Sequence, residues 1–327
     1  EEILRAVKVA IREAVAGVGQ APAAASFSSA MHSIMAVNRE GMALTPLIIW
    51  ADNRSEPYAL SLRDTPEGRL IYRQTGTPVH AMSPLCKIRW LRERQPAIFA
   101  QAALFPGIKE YIFHHFFGSY LIDESIASAT GLFDIHTLRW NETALAAAGI
   151  SEAQLPQPVP TNHAVRGLLP AIAQELGIPA DTPFVIGASD GCLAQLGSRA
   201  TASGHATLTI GTSGAVRIAT RKPLTDAHGR LFTYILSHNT YVIGGASNNG
   251  GVVLQWLVRD FLQQPLSTLD GLVNAALATD PGRLLCLPYL LGERAPVWNS
   301  HASAAFIGIQ GHHTPAHFTR AVLEGIC

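Results

Sequence analysis

Apolar residues recur every three to four positions from the first turn of the chain, at Ile3, Leu4, Val7, Ile11, Ala14 and Val15, and this spacing predicts an amphipathic helix. AAASFSSAMHS then reads as a strand entering a loop, and ALTPLIIWADNRS as a second strand ending in a polar loop. Residues 84–103 and 108–117 are expected to be helical, 119–135 to be rich in loops, and 168–176 to form a helix inside a Pro-rich stretch. PFVIGASDG predicts a buried strand that breaks at Gly187 into a loop. GHATLTIGTSGAVRI alternates apolar and polar residues on both sides of GTSG, which predicts strand, tight turn and strand. TYVIGG predicts a further strand that leads through ASNNGG into the helix VVLQWLVRDFL, with Val252, Val253, Trp256, Leu257 and Phe261 on its apolar face.

Strands interleaved with helices indicate α/β layering. With 327 residues the chain is long enough for two cores, and RATASGH interrupts the apolar runs, so a boundary is expected at 198–205 and domains at 1–200 and 201–327. Lys plus Arg and Asp plus Glu balance at 24 each, which gives no basic face for nucleic acid. Cys86, Cys192, Cys286 and Cys327 form no CxxC pair, which argues against a disulfide framework or zinc site and fits a reducing cytoplasm. No apolar run reaches the roughly 18 residues of a membrane span. The chain opens with Glu inside one helical pattern and stops at Cys327 inside another, so both ends are expected to be cut.

Several segments carry chemistry. In GASDGCLAQLG, Asp190 follows a buried strand among small residues and reads either as a base or as the cap of a helix starting at Cys192. GTSG, from Gly211 to Gly214, presents backbone N–H groups and a hydroxyl to a phosphate, or is an ordinary hairpin turn; it lacks the Lys and the following helix of a P-loop. ASNNGG is either an anion site at a helix start or a tight connection. Met31 and His32 occupy a loop after a strand, where a lone His is the commoner structural residue. Asp52, Asn53 and Arg54 form a cluster able to hold polyhydroxy or carboxylate groups, or a solvated loop. The pairs His114–His115 and His312–His313 are read as lacking an i,i+4 partner for a metal, and no protein metal ligand is expected.

In this order the segments resemble the FGGY family of carbohydrate kinases over essentially the whole chain. MSPLCKIRWLRE, with Pro84, Lys87 and Trp90, is similar to one family signature, and AAFIGIQGHHTPAHFTRAVLE, with Gly308, His317 and Glu324, to the other. IDESIASATGLFDI and LPYLLGERAPVWN also resemble family segments. The resemblance implies two actin-like (ribonuclease H-like) domains, with a cleft between them for ATP-Mg2+ and a sugar. Both are expected to be incomplete here, the first lacking its phosphate hairpin and the second its adenine-binding segment, so the isolated chain is expected to be poorly active.

It further implies Asp190 as catalytic base and Met31 and His32 as a sugar-contacting pair. Thr212 in the Gly211 turn, Gly251 and Gln255 fall on the nucleotide side, and Glu124 stands where glycerol kinases have a substrate-contacting Tyr. FSSAMHS, TPLIIWADNRS and YRQTGTPVHAMSPLCK most closely resemble gluconate kinases. The expected reaction is therefore ATP-dependent phosphorylation of D-gluconate to 6-phospho-D-gluconate, with His32 and Arg54 as candidate donors to the carboxylate and Asp52 beside them. The alternatives are a kinase for xylulose, ribulose or another polyol, and a sugar-binding protein without catalysis. The expected partners are a sugar acid and ATP, in the cytoplasm, with a homodimer left open.

Overall fold

The computed structural model describes every residue except Ser203, within the RATASGH boundary segment, and Pro281. Two compact units emerge, Glu1–His205 with Ala219–Ile243, and Ala206–Ile218 with Gly244–Cys327. The chain thus leaves the first unit after His205, returns to it for 219–243, and leaves it again.

In the first unit the central strand is Phe184–Ser189, flanked in parallel by Ala25–Ser29 and antiparallel by Ala164–Val165. The opening helix, Glu2–Val18, lays Leu4, Val7, Ile11 and Val15 against a core of Phe116, Leu168, Ile172, Leu176 and Phe184. It ends at Gly19, whose φ of 71° lets its N–H reach back to Val15. A larger core gathers Ile34, Leu85, Ile88, Leu91, Leu132, Phe133 and Trp140. The Pro84–Arg94 helix that feeds it has Pro84 in its first turn and the Ser83 side chain accepting from Cys86 N–H.

Four expectations are corrected. The strand expected in ALTPLIIW is absent: Ile48 makes only an isolated bridge to Ile34. Pro46 removes one ladder donor, the Ile49 carbonyl accepts from the Lys87 ammonium, and the Ile48 carbonyl accepts from Ile34 N–H with the same ammonium at 3.5 Å. The helical stretch 84–103 is two helices, Pro84–Arg94 and Pro96–Gln101, because Pro96 forces Gln95 out of helical geometry at φ −135°, ψ 52°. The stretch 119–135 carries short regular elements, Leu121–Asp123, the helix Glu124–Ser128 and Phe133–Asp134, built around an Asp123 cap on Ile126 N–H. The strand at PFVIGASDG does not break at Gly187. It continues to Ser189, because Gly187 takes φ 72° at a register shift opposite Phe27, where a Cβ would lie 1.9 Å from Phe27 O.

The second unit holds the antiparallel hairpin around GTSG, formed by the strand Ala206–Ile210 and the strand Gly214–Thr220, which pair from Ala206↔Ile218 to Ile210↔Gly214. The strand Thr240–Ser247 enters it, and the helix Gly251–Trp256 continues as one π-helical turn, Leu257–Phe261. Val253 and Leu257 pack with Leu284, Cys286, Ala321 and Val322, while Phe261 is half exposed and lies beside Phe306 and Phe318. Among the described residues no helix is long and apolar enough to cross a membrane.

Candidate active site

In the first unit, Ser29 pairs with Ser189 in parallel register, so both strands deliver their C-terminal ends to one edge. One continues into Met31 and His32 and the other into Asp190. Asp190 is the exposed first residue of the helix Asp190–Gly197, with Ser189 at the cap position. The cap of a helix starting at Cys192 is therefore not its place. Its Oδ1 accepts from the adjacent Gly191 N–H, at 2.8 Å, and a carboxylate in the first turn is favoured by the helix dipole.

Buried polar groups fix this edge. Ser189 and Ser125 are fully buried and lie 3.0 Å apart through their hydroxyls, and Ser189 N–H donates to Ser125 Oγ at 3.2 Å. Ser125 belongs to the short helix that begins at Glu124, so the Ser pair brings Glu124 to the same edge as Asp190. Burial pushes the Glu124 carboxyl up, against a lowering influence from His238. Beneath them Lys109 is 1% exposed, donates to Ile186 O and Ala188 O at 3.2 and 3.3 Å, and pairs with Asp123 at 2.6 Å. Burial raises the Asp123 carboxyl and the Lys109 charge opposes that rise.

His32 is buried with φ 68°. Its Nδ1 lies 2.7 Å from Ala129 O, an acceptor, so Nδ1 carries the proton and donates. In the neutral ring Nε2 is then an acceptor, facing the Tyr234 hydroxyl at 3.4 Å. A donor role toward a carboxylate therefore belongs to the doubly protonated ring, since in neutral His32 the one N–H is used on Ala129 O. Met31 is half-buried against the larger core.

Arg54 also has its guanidinium engaged: Nε and Nη2 bind Asp52 at 2.7–2.9 Å, and the group lies 4.9 Å over the Trp90 ring. Partial burial opposes it, but the hydrogen bonds and charge of Arg54 hold the Asp52 carboxyl below its ordinary value. The loop bearing both is tied to the Met31–His32 loop by Lys87, whose ammonium donates to His32 O and Ile49 O. Met31, His32, Asp52, Arg54, Glu124 and Asp190 thus all belong to the first unit.

Gly211, Thr212, Gly251 and Gln255 belong to the second. Gly251 N–H donates to Gly211 O at 2.7 Å, and Gly250 and Val252 N–H donate to Thr212 O at 3.1 and 3.3 Å. The helix start is therefore bound to the GTSG turn, and these donors are spent on carbonyls; ASNNGG is a tight connection. Gln255 is exposed on that helix. A residue that the sequence reading passed over organises this side. Glu293, 3% exposed, accepts from Ser247 Oγ, Asn249 Nδ2, Asn248 N–H and Arg294 N–H at 2.7–3.0 Å. Its signal was an acid directly after the apolar run LPYLLG; for Lys109 it was a charge opening the apolar helix IKEYIFHHFF.

His313 does have an i,i+4 partner, His317, which corrects the sequence reading. The Nδ1 of each accepts a backbone N–H, from Gln310 and Thr314, which leaves the proton on Nε2 of each neutral ring. Among the described residues no three His, Cys, Asp or Glu side chains converge as a metal site.

With this geometry established, comparison with known proteins places the chain. The profile of the FGGY family of carbohydrate kinases, N-terminal domain, matches residues 1–197, and that of the C-terminal domain matches 206–327. The chain is 45% identical to a gluconokinase of Bacillus subtilis (strain 168) over 311 residues, 92% of this chain and 61% of that protein. A xylulose kinase of Staphylococcus epidermidis is 29% identical over 92% of this chain and 60% of its own length. The crystal structure of gluconate kinase from Lactobacillus acidophilus superimposes with a TM-score of 0.93 at 35% identity, covering 99% of this chain and 66% of that one. The chain thus spans about 61% of the length of the gluconokinase it matches. On the two profile matches, which together take in both units, the chain belongs to the FGGY family of carbohydrate kinases.

Proposed function

We propose that the protein is a gluconokinase, transferring the γ-phosphoryl group of ATP to the 6-hydroxyl of D-gluconate. The observation that carries this reading is the shared edge at which Ser29↔Ser189 pairing and the Ser125–Ser189 contact gather Met31, His32, Glu124 and Asp190. An exposed carboxylate at the end of a buried strand can accept the hydroxyl proton as the oxygen attacks phosphorus and ADP leaves. The GTSG turn, bound to the Gly251–Trp256 helix, supports the nucleotide-phosphate role, with Thr212 and Gln255 facing solvent. Mg2+ bound with the nucleotide, held mainly by phosphate oxygens and water, would neutralise charge on the transferred group.

The choice of sugar rests on sequence more than on shape. The gluconokinase relative stands at 45% identity and the xylulose kinase relative at 29%, whereas solved gluconate and xylulose kinases superimpose almost equally, at TM-scores of 0.93 and 0.92. Buried thiols at Cys86 and Cys286, outside any disulfide, support a reducing, cytoplasmic setting.

The test is ADP release across gluconate, xylulose, ribulose and glycerol. A kcat/KM at least tenfold higher for gluconate is expected. Equal or greater activity on a ketose or glycerol overturns the substrate, and sugar binding without turnover on any of them overturns the kinase reading.

A further inference from the structure

Lys87 is fully buried on the Pro84–Arg94 helix. Its ammonium faces three carbonyls, His32 O at 2.7 Å, Ile49 O at 2.8 Å and Ile48 O at 3.5 Å. Three donors thus meet three acceptors from two separate loops. Among the described residues no carboxylate lies within ion-pair distance of it, so this cation is retained in the interior with loop carbonyls as its contacts. Such a group is costly to bury, and burial pulls its pKa down to about 7. An apolar side chain would fill the same space without that cost. What the ammonium adds is a hold on the backbone at two points that matter for the acceptor: His32, whose φ of 68° is a left-handed conformation that L side chains avoid, and the Ile48–Ile49 stretch that leads into Trp50, Asp52 and Arg54.

We propose that Lys87 is a positioning residue for the sugar: by binding both loops it keeps His32 in its left-handed conformation beside the Asp52–Arg54 pair, and so sets affinity for the acceptor rather than for the nucleotide. This deepens the acceptor-site reading above and rests on it. A residue that served stability alone would lower melting temperature without separating the two substrates.

The measurement is KM for gluconate and for ATP in Lys87→Met and Lys87→Ala, with Lys87→Ala repeated in added propylammonium. The expected result is a gluconate KM raised about tenfold or more, as for loss of charged hydrogen bonds in a buried site, an ATP KM within twofold of wild type, and recovery of the gluconate KM by the amine but not by propanol. Equal rises in both KM values, or no rise, overturn the proposal.

If neither variant folds, gluconate affinity of the wild-type protein is followed by tryptophan fluorescence from pH 6 to 8.5. The charged and titratable groups facing the ammonium are Asp52 and Arg54 on the loop it holds and Cys86 on its own helix, a thiol that burial pushes up to about 11; His32 on the other loop meets it through its carbonyl, and Arg89 and Glu56 face Cys86. Deprotonation of Lys87 removes a donor and the charge as pH rises through about 7. Gluconate affinity is then expected to fall about fivefold with ATP affinity unchanged, and a flat profile overturns the proposal. If the wild-type protein does not bind gluconate, the function proposed above fails by itself, and the same comparison is made with whichever sugar of the panel it binds.

Discussion

The two units hold their loops with ions of opposite sign. In the first, the buried cations Lys87 and Lys109 donate to carbonyls, of His32, Ile48 and Ile49 in one case and of Ile186 and Ala188 in the other. In the second, the buried anion Glu293 accepts two backbone N–H groups, a serine hydroxyl and an asparagine amide. The difference follows from which backbone groups a strand end leaves unpaired, because a buried carbonyl needs a donor and a buried N–H needs an acceptor. It also has a chemical consequence. Glu293 takes the backbone N–H groups of Asn248 and Arg294 for itself, which under the proposed function would leave the GTSG turn to meet phosphate, while the cations of the first unit are spent on backbone carbonyls and, for Lys109, on Asp123.

The largest effect that bears on this contrast is at Asp190, which neither ion touches. If it is the base at the edge that Lys109 supports, Asp190→Asn lowers kcat by about 10²–10⁴-fold with gluconate KM nearly unchanged. Wild-type turnover in this variant would remove Asp190 from the mechanism. Next comes Lys109→Met, which leaves Asp123 as an unpaired buried carboxylate and is expected to destabilise the protein by about 3–5 kcal/mol in chemical denaturation. A loss under 1 kcal/mol would show that the ion pair is not what holds the Ile186–Ala188 strand end. Smaller still is Glu293→Gln. Its amide offers one acceptor and two donors where the carboxylate met four donors, so ATP KM is expected to rise about tenfold while gluconate KM stays within twofold. A rise in gluconate KM instead would break the assignment of the two ions to different substrates.

The parts of this arrangement that were legible in the sequence are those fixed by periodicity or local turn chemistry. The helix of Leu4, Val7, Ile11 and Val15, the strands around GTSG and the Ile108–Phe117 helix fall where their patterns put them. The resemblance of ordered segments singles out Asp190 as a base, a reading its own neighbours left undecided and the Asp190→Asn variant tests. What the sequence hid was long-range pairing of polar groups. ALTPLIIW has the composition of a strand, but Ile49 finds its donor in Lys87, 38 residues away. Gly187 looked like a break because its tolerance of φ 72° is used inside a strand, at a bulge that only the partner Phe27 explains. The protein partners of His32 and Arg54, Ala129 O and the Trp90 ring, are likewise invisible from their neighbours in the sequence.

Glu110 supplies the smallest test, and it concerns an ion the first unit does not want. The residue follows Lys109 on the same helix and is 1% exposed, and among the described residues neither carboxylate oxygen has a well-formed hydrogen bond, the nearest backbone groups being those of Gly107 and Glu110. It borders a cavity of about 10 Å³, lined also by His32, Ser33 and Gly107, that is roughly the size of one water. Burial pushes its pKa up to about 7, against the lowering charge of Lys109. A carboxyl raised above its unfolded value of 4.5 contributes stability that is fully present below that value and is lost as pH rises through about 7. Glu110→Gln removes the titration and keeps the shape. Its melting temperature is therefore expected to fall less than that of the wild-type protein between pH 5 and pH 8, leaving the variant about 2 °C ahead at pH 8. Parallel curves for the two proteins would mean that Glu110 is held ionised by Lys109 after all, and that this one cation serves two carboxylates, Asp123 and Glu110, as well as the backbone.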